Sequence, residues 1–291
     1  MSGIPEIRHH IRAVEDTRKI TRAMYLISSA KMQKAMRMHE RNMPYFHQVR
    51  EDMRYILENT GHSVHHPFFE RRPGNRAVYL VIAGDKGMCG SYNADVLRAA
   101  DERIGGARHA GVSVLTIGAT AYDHFARRGM DPDVHYLHLA QDPSLGSCRG
   151  VAQELCAMYD QDQFDEAYVV FTNMLSSRVI RPETMRLLPI LAEDLRDVRP
   201  LHVRTGDLEF VPGVRDALYA LAPQHLIGLV YSACVQSYAA EHSARMAAMD
   251  ASTRNADEML GKLRMEHQRA RQTAITQELG EIISGADSVR E

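Results

Sequence analysis

MAAMDASTRNADEMLGKLRMEHQRARQTAITQ, residues 246–277, returns to a small or apolar side chain every three or four positions. Met246, Met249, Thr253, Ala256, Leu260, Leu263, His267, Ala270 and Ala274 make one continuous 3-4 seam, the pattern of a helix lying along a second helix. No proline follows Pro223, and the seam extends back to Ala239 and forward to Gln277. Roughly sixty residues at ~1.5 Å each make a rod on the order of 90 Å. A helix of that length cannot bury its stripe in a small domain, so it needs another helix alongside.

The mate is at the other end of the chain. There is no proline between Pro5 and Pro44 and no glycine between Gly3 and Gly61, and these are the two strongest helix breakers. The stripe opens as Ile4, Ile7, Ile11 and Val14, then continues less strictly through Thr17, Ile20, Met24 and Ile27. Pro44 is a candidate kink, with the helix carried on to about Leu57. Gly61–Gly74, with its prolines and histidines, reads as a loop. Charge supports the pairing: residues 1–41 hold nine Lys/Arg against four Asp/Glu, and 241–291 hold seven against nine. The seam itself is rich in Ala and Thr and polar at His267 and Gln277. Small residues let helices approach closely but bury little area, at ~25 cal/mol per Å². A slim ordinary coiled coil accounts for this, and so does a shaft kept thin to fit inside something.

Between these ends the period changes. RAVYLVIAG (76–84) and VSVLTIG (112–118) are β-branched apolar runs ending in glycine, as buried parallel strands do. AYVVFTN (167–173) and TMRLLPI (184–190) are the third and fourth. Helical patterns separate them at Asn93–Ile104, Ala119–Arg128 and Leu145–Tyr159, an α/β layer order. The expected organisation is an N-terminal coiled-coil helix at 1–60, an α/β domain at 75–205 and a C-terminal coiled-coil helix at 210–288.

Composition narrows the class. Hydrophobic residues are 45% and charged residues 25% of 291, the balance of a globular chain. A net charge of -2 argues against a general nucleic-acid binder. No apolar run is expected to reach the ~20 residues a bilayer needs, and MSGIPEIRHHIR has no signal-peptide core, so the expected place is the cytoplasm. Cys89, Cys148, Cys156 and Cys234 match no zinc or CxxC spacing and read as reduced, buried small hydrophobes.

The most site-like segment is Gly84-Asp85-Lys86-Gly87-Met88-Cys89-Gly90-Ser91, a glycine-bearing strand-to-helix turn able to cradle a phosphate. It is neither a Walker A loop nor GxGxxG, and a tight turn needs glycines in any case. The paired histidines (His9 with His10, His62 with His65 and His66, His135 with His138) lack metal-ligand company, and His135 and His138 would face opposite sides of a strand. No nucleophile signature is present. The expectation is no catalytic, cofactor or metal residue. Arg269–Leu279 is rich in directional hydrogen-bonding groups and reads either as a solvated helix end or as a partner-facing surface.

EIRHHIRAVEDTRKITRAM (6–24) resembles the opening helix of the gamma subunit of F-type ATP synthases, of the form E-I-R-x-x-I-x-x-V-x-x-T-x-K-I-T-x-A-M. SSAKMQKA (28–35) is similar to its continuation, and DKGMCGSYN (85–93) to the family turn D-[RK]-G-[LM]-C-G-x-[FY]-N. EHSARMAAMDASTRNADEML and ARQTAITQELGEIISGA (270–286) are similar to its closing helix. The resemblance implies an antiparallel coiled coil plus a Rossmann-like α/β domain. It also implies a non-catalytic central-stalk rotor coupling transmembrane ion flow to ATP synthesis or hydrolysis, on the cytoplasmic face of the cell membrane. The implied partners are the alpha and beta subunits, epsilon and the c-subunit ring, with no nucleic acid, no cofactor, and membrane association only through partners. By position, Arg271, Gln272, Thr276 and Glu278 match contacts to beta-subunit catch loops, and Lys19, Arg22 and Met24 match the opening helix where it passes beta. The chain departs from the family at Val211, before Pro212, where relatives often carry an acid that would serve a c-ring contact. It also lacks a cysteine-bearing regulatory insertion. The rival reading is an α/β nucleotide-binding protein with coiled-coil arms.

Overall fold

The computed structural model describes residues 3–60, 67–130, 132, 135–136, 138–176, 179–195 and 213–288. Val211 and Pro212, the histidines at 62, 65 and 66, the 61–66 part of the expected loop and the 196–205 end of the expected α/β domain lie outside them. The chain forms two compact units, Ser29–Ala244 and Met1–Ser28 with Arg245–Glu291.

The Ser29–Ala244 unit is built on a five-stranded sheet. Its strands are β1 (Arg76–Ile82), β2 (Gly111–Ile117), β3 (His135–Tyr136), β4 (Glu166–Ser176) and β5 (Val179–Leu188), in the order β3-β2-β1-β4-β5. The β1–β2, β1–β4 and β2–β3 pairs are parallel, whereas β4 and β5 pair antiparallel. Strand β1 explains the layering. Its Val78, Leu80 and Ile82 point into one core and its Ala77, Tyr79 and Val81 into another, so both faces must be covered. Helices α2 (Tyr92–Gly106) and α3 (Ala119–Ala126) cover the second face through Val96, Leu97, Ala100, Ala121 and Phe125. The first face is covered by α4 (Leu145–Asp160) and by parts of two long helices, α1 (Ile4–Thr60) and α5 (Val214–Ser288). Phe46, Val49 and Met53 of α1 and Leu226 to Tyr238 of α5 enter that core.

Strand β5 begins earlier than its sequence suggests, because VIRPETM carries a proline and two charges. It lies at the end of the strand order, where a missing N–H and solvated side chains are tolerated, and Pro182 sits opposite Thr172 in the ladder. Pro44 does not end α1: the Glu40 carbonyl that loses its N–H partner belongs to an exposed residue, and Pro44 is exposed too. Helix α5 likewise starts at Val214 and passes through Pro223.

Contrary to the sequence expectation, α5 is long and apolar enough to cross a membrane, with an 18-residue window of mean hydropathy 1.3; 67% of that window is buried in the fold, as for a core helix. Cys89, Cys148 and Cys234 are buried, Cys156 is half-buried, and all are free thiols. Burial pushes the Cys156 thiol up to about 12, helped by nearby Asp160.

In the other unit α1 and α5 run antiparallel. Glu15 meets Arg264, Arg18 meets Asp257 and Thr21 meets Thr253, one number rising as the other falls. On α1 the buried positions are Ile7, Val14, Thr21 and Ser28, a strict seven-residue repeat. On α5 they are Arg245, Met249, Ala256, Leu260 and Leu263, with Thr253, His267, Ala270 and Ala274 half-buried. The closing-helix seam is therefore the one its spacing gives.

Candidate functional site

A helix pair offers two kinds of position, seam and rim. The seam core is small: Val14, Ala256, Leu260 and Leu263, with Ile11 packed against them. Next to it the apolar contact gives way to a hydroxyl pair. The Thr21 and Thr253 hydroxyls lie 2.8 Å apart across the seam. Each also reaches a carbonyl of its own helix, Arg18 at 3.1 Å and Met249 at 2.8 Å, so either can donate to the other. Salt bridges flank the seam, Arg18 to Asp257 at 2.9 Å and Arg264 to Glu15 at 2.8 Å. Both are substantially exposed, and such pairs contribute about 0–1 kcal/mol each. Ala256 has no room to grow, so Ala256→Phe is expected to cost about 1–3 kcal/mol by overpacking. Asp257→Phe removes only the rim pair and should stay within roughly 1 kcal/mol of the parent. Thermal melts of the two variants compare them; equal losses would mean that the wrong face has been turned inward.

The rim holds most of the residues picked out by resemblance. Lys19 is exposed and pairs with Asp16 at 3.0 Å, and Arg22 is exposed with its guanidinium 5.5 Å from the Tyr25 ring centre. Arg271, Gln272, Thr276 and Glu278 are all exposed, while Met24 is half-buried. Helical spacing brings Gln272 and Thr276 onto one stripe, and the Thr276 hydroxyl donates to the Gln272 carbonyl at 2.9 Å. Arg271 and Glu278, seven apart, share a neighbouring stripe.

The α1 stripe needs correction beyond Val14. Thr17, Ile20 and Ile27 are exposed, Ile20 at 60% and Ile27 at 56%; the seam instead continues through Arg18, Thr21, Tyr25 and Ser28. Seven-residue spacing from Ile7 and Val14 gives Thr21 and Ser28 directly, but the greasier isoleucines pull the eye one position aside. Leu26 is exposed as well, and so are Ile275, Leu279 and Ile282, which stand at 4-3 spacing on α5. Large aliphatic side chains facing out from a helix pair mark a surface built to be covered.

The glycine-bearing turn is occupied with its own fold. Asn93 accepts from the Gly84 N–H at 2.9 Å and donates to the Lys86 carbonyl at 3.3 Å. The Asp85 carboxylate accepts from the Ala119 N–H at the start of α3 and from Gln141, at 2.8 and 2.7 Å. Met88 and Gly90 take left-handed φ values of 61° and 59° on either side of the buried Cys89. Behind the turn, a Cβ on Gly84 would lie 3.0 Å from the Glu241 carboxyl carbon. The polar groups of the turn thus tie β1 to α2 and α3, which makes it a joint between elements.

His135 lies in β3, but His138 sits in a turn at φ 65°, so the two do not belong to one strand as expected. Among the described residues no three His, Cys, Asp or Glu are grouped to hold a metal.

Comparison with known proteins adds relatives of full length. The family model described as ATP synthase matches residues 3–289. An ATP synthase gamma chain of Ruminiclostridium cellulolyticum is 35% identical over 293 residues, covering 99% of both chains. One from Caldanaerobacter subterraneus is 38% identical over 299 residues, covering 98% of this chain and 99% of its own. In fold, the chain is similar to one in the OSCP/F1/c-ring structure of Euglena gracilis mitochondrial ATP synthase, with TM-score 0.65 and 17% identity over 98% of this chain and 94% of that one. A chain of the Tetrahymena thermophila mitochondrial central stalk/c-ring gives TM-score 0.57 and 17% identity, covering 80% and 98%.

Proposed function

The chain belongs to the ATP synthase gamma family, and on that premise we propose that its helix pair is the shaft whose rim works against the beta subunits. It is a non-catalytic stalk subunit of the synthase, peripheral to the membrane part of the complex. Its partners in this reading are the alpha and beta subunits around the helix pair, with epsilon and the c-subunit ring against the sheet-bearing unit. The seat is the cytoplasmic face of the cell membrane, reached through those partners. Ion flow turns the c ring and the shaft with it. An asymmetric shaft then acts as a ligand with a different affinity for each beta conformation, which shifts the nucleotide affinities in turn. Whether the ion is a proton or sodium is a property of other subunits.

The observation that carries this reading is the division of side chains on the helix pair. Thr21, Ser28, Thr253 and Ala256 are small residues at seam positions shared with Val14, Leu260 and Leu263. Exposed Ile275 and Leu279 face outward among polar Arg271, Gln272, Thr276 and Glu278, with Ile20 and Ile27 exposed on α1. Lys19, Arg22 and Met24 extend the contact on α1. Arg271→Ala with Gln272→Ala should leave the chain folded, because both side chains are exposed, and lower coupled ATPase activity of the reconstituted complex by roughly tenfold or more, about 1.4 kcal/mol. Mixing the chain with alpha and beta subunits measures this. Turnover by the chain alone on the order of 1 per second, or an unchanged rate for the double variant, would overturn the reading. The alternative nucleotide-binding role predicts that ATP binds the isolated chain, which equilibrium dialysis detects.

A further inference from the structure

We propose that the recess between α1, α5 and the β4–β5 pair is a binding site for a small monocarboxylate with an aromatic or short aliphatic body. The recess has a chamber of about 250 Å³ and an adjoining one of about 150 Å³. Arg50, Met185, His225 and Leu229 line both and so form the neck between them. Close-packed interiors contain few voids larger than a water molecule, and space of this size approaches the lower range of small-ligand sites.

The neck supplies the recognition chemistry. His225 is 4% exposed and lines both chambers, so its ring is presented to the recess. Its imidazole is neutral, because burial and the adjacent Arg50 push it down to about 3. A neutral imidazole still carries one N–H donor and one acceptor nitrogen. Arg50, which donates to the Asp194 carbonyl at 3.1 Å, brings positive charge to the same neck. A carboxylate placed there would accept from the imidazole and offset the Arg50 charge that His225 feels, so binding would favour uptake of a proton by the ring. The other charged or titratable groups on the walls fix the orientation. Arg186 is held by Glu193 and Asp194, at 2.9 and 2.8 Å, which leaves the smaller chamber near neutrality. Glu183 lines only the larger chamber, where Asn173 donates to it at 2.6 Å, and it directs an anionic head away from itself and toward the neck. His39 in the same chamber is also held below its usual range by burial. Phe46, Phe171 and Met43 then face the body of the molecule, aromatic and thioether surfaces that suit a ring or a short chain.

The full-length chain should be titrated calorimetrically at pH 6.0 with 3-phenylpropionate, and with 3-phenylpropanamide as its uncharged twin, in two buffers of different ionisation enthalpy. The expected result is saturable binding of the carboxylate, at least about tenfold tighter than the amide, with net proton uptake. Leu229→Trp, which fills the neck, and His225→Phe should each weaken the carboxylate by about tenfold or more. No saturable binding, equal affinity for the amide, or affinity unchanged in both variants would overturn the proposal. Should His225→Phe fail to fold, His225→Gln must bind without proton uptake, and uptake equal to that of the parent would overturn it equally.

Discussion

Lowering the pH from 7 to 4 is expected to destabilise the sheet-bearing unit through one side chain, His225, by up to about 1.4 kcal/mol for each pH unit below the ordinary histidine value. The fold holds this imidazole near 3 against 6.5, because burial and then Arg50 disfavour the charged form. Above 6.5 the ring is neutral in both folded and unfolded chains and contributes no pH dependence. Between 6.5 and 3 the unfolded chain binds a proton that the folded chain refuses, so stability falls as pH falls. Below 3 both states carry the proton and the loss is complete. Urea unfolding of the parent and of His225→Gln at pH 7 and pH 4.5 isolates the effect, since carboxylates contribute equally to both proteins. The parent should lose roughly 2–3 kcal/mol more than the variant across that interval. Identical losses would show that the imidazole accepts its proton without unfolding.

A second large effect is expected at Gly118, where β2 passes into α3. Its φ of 96° is one that side chains rarely adopt, and a Cβ there would run into the Ala83 carbonyl. Neither neighbour can yield easily: the Ala83 N–H donates to Ile117 at 2.9 Å, and the Ala119 N–H is fixed on Asp85 at 2.8 Å. Gly129, with φ 73° and open space where its Cβ would stand, is the control. Gly129→Ala should cost only the backbone penalty, about 1–2 kcal/mol. Gly118→Ala adds a collision with backbone and should cost roughly 4 kcal/mol or more, among the larger losses single substitutions cause. Equal shifts in melting temperature would mean that the β2–α3 joint gives way as freely as an open turn.

What could be read in the residues follows how strongly each pattern was constrained. The closing-helix seam was legible because Leu260, Leu263 and Ala256 repeat over many turns against one neighbour. Strands β1, β2 and β4 were legible because both faces of their central stretches are buried, so apolar and β-branched residues run through them with few breaks. On α1 the same logic misled beyond Val14. Apolar residues mark burial only when the core belongs to the chain itself, and Ile20 and Ile27 face outward. The start of β5 was hidden because an edge strand tolerates Pro182 and charges. The neck around His225 could not be read at all: Arg50, Met185 and His225 come from three elements far apart in sequence, and no local spacing announces them. The partner-facing role proposed for the residues near Arg271 came from resemblance alone, since a polar helix end has no periodic signal that separates solvent from a protein surface.

The antiparallel pairing also has a consequence in time. Arg18 and Asp257 are 239 residues apart and Glu15 and Arg264 are 249 apart. At about 5–20 residues per second of synthesis, the opening helix waits on the order of ten to fifty seconds before its mate exists. Throughout that interval its seam meets water and other nascent chains. A seam of Arg18, Thr21, Tyr25 and Ser28 is well suited to waiting, since hydroxyl and guanidinium groups remain solvated where a run of leucines would seek another surface. The polar stretch that weakens the finished pair therefore leaves the seam of the unfinished one with less apolar surface to bury elsewhere.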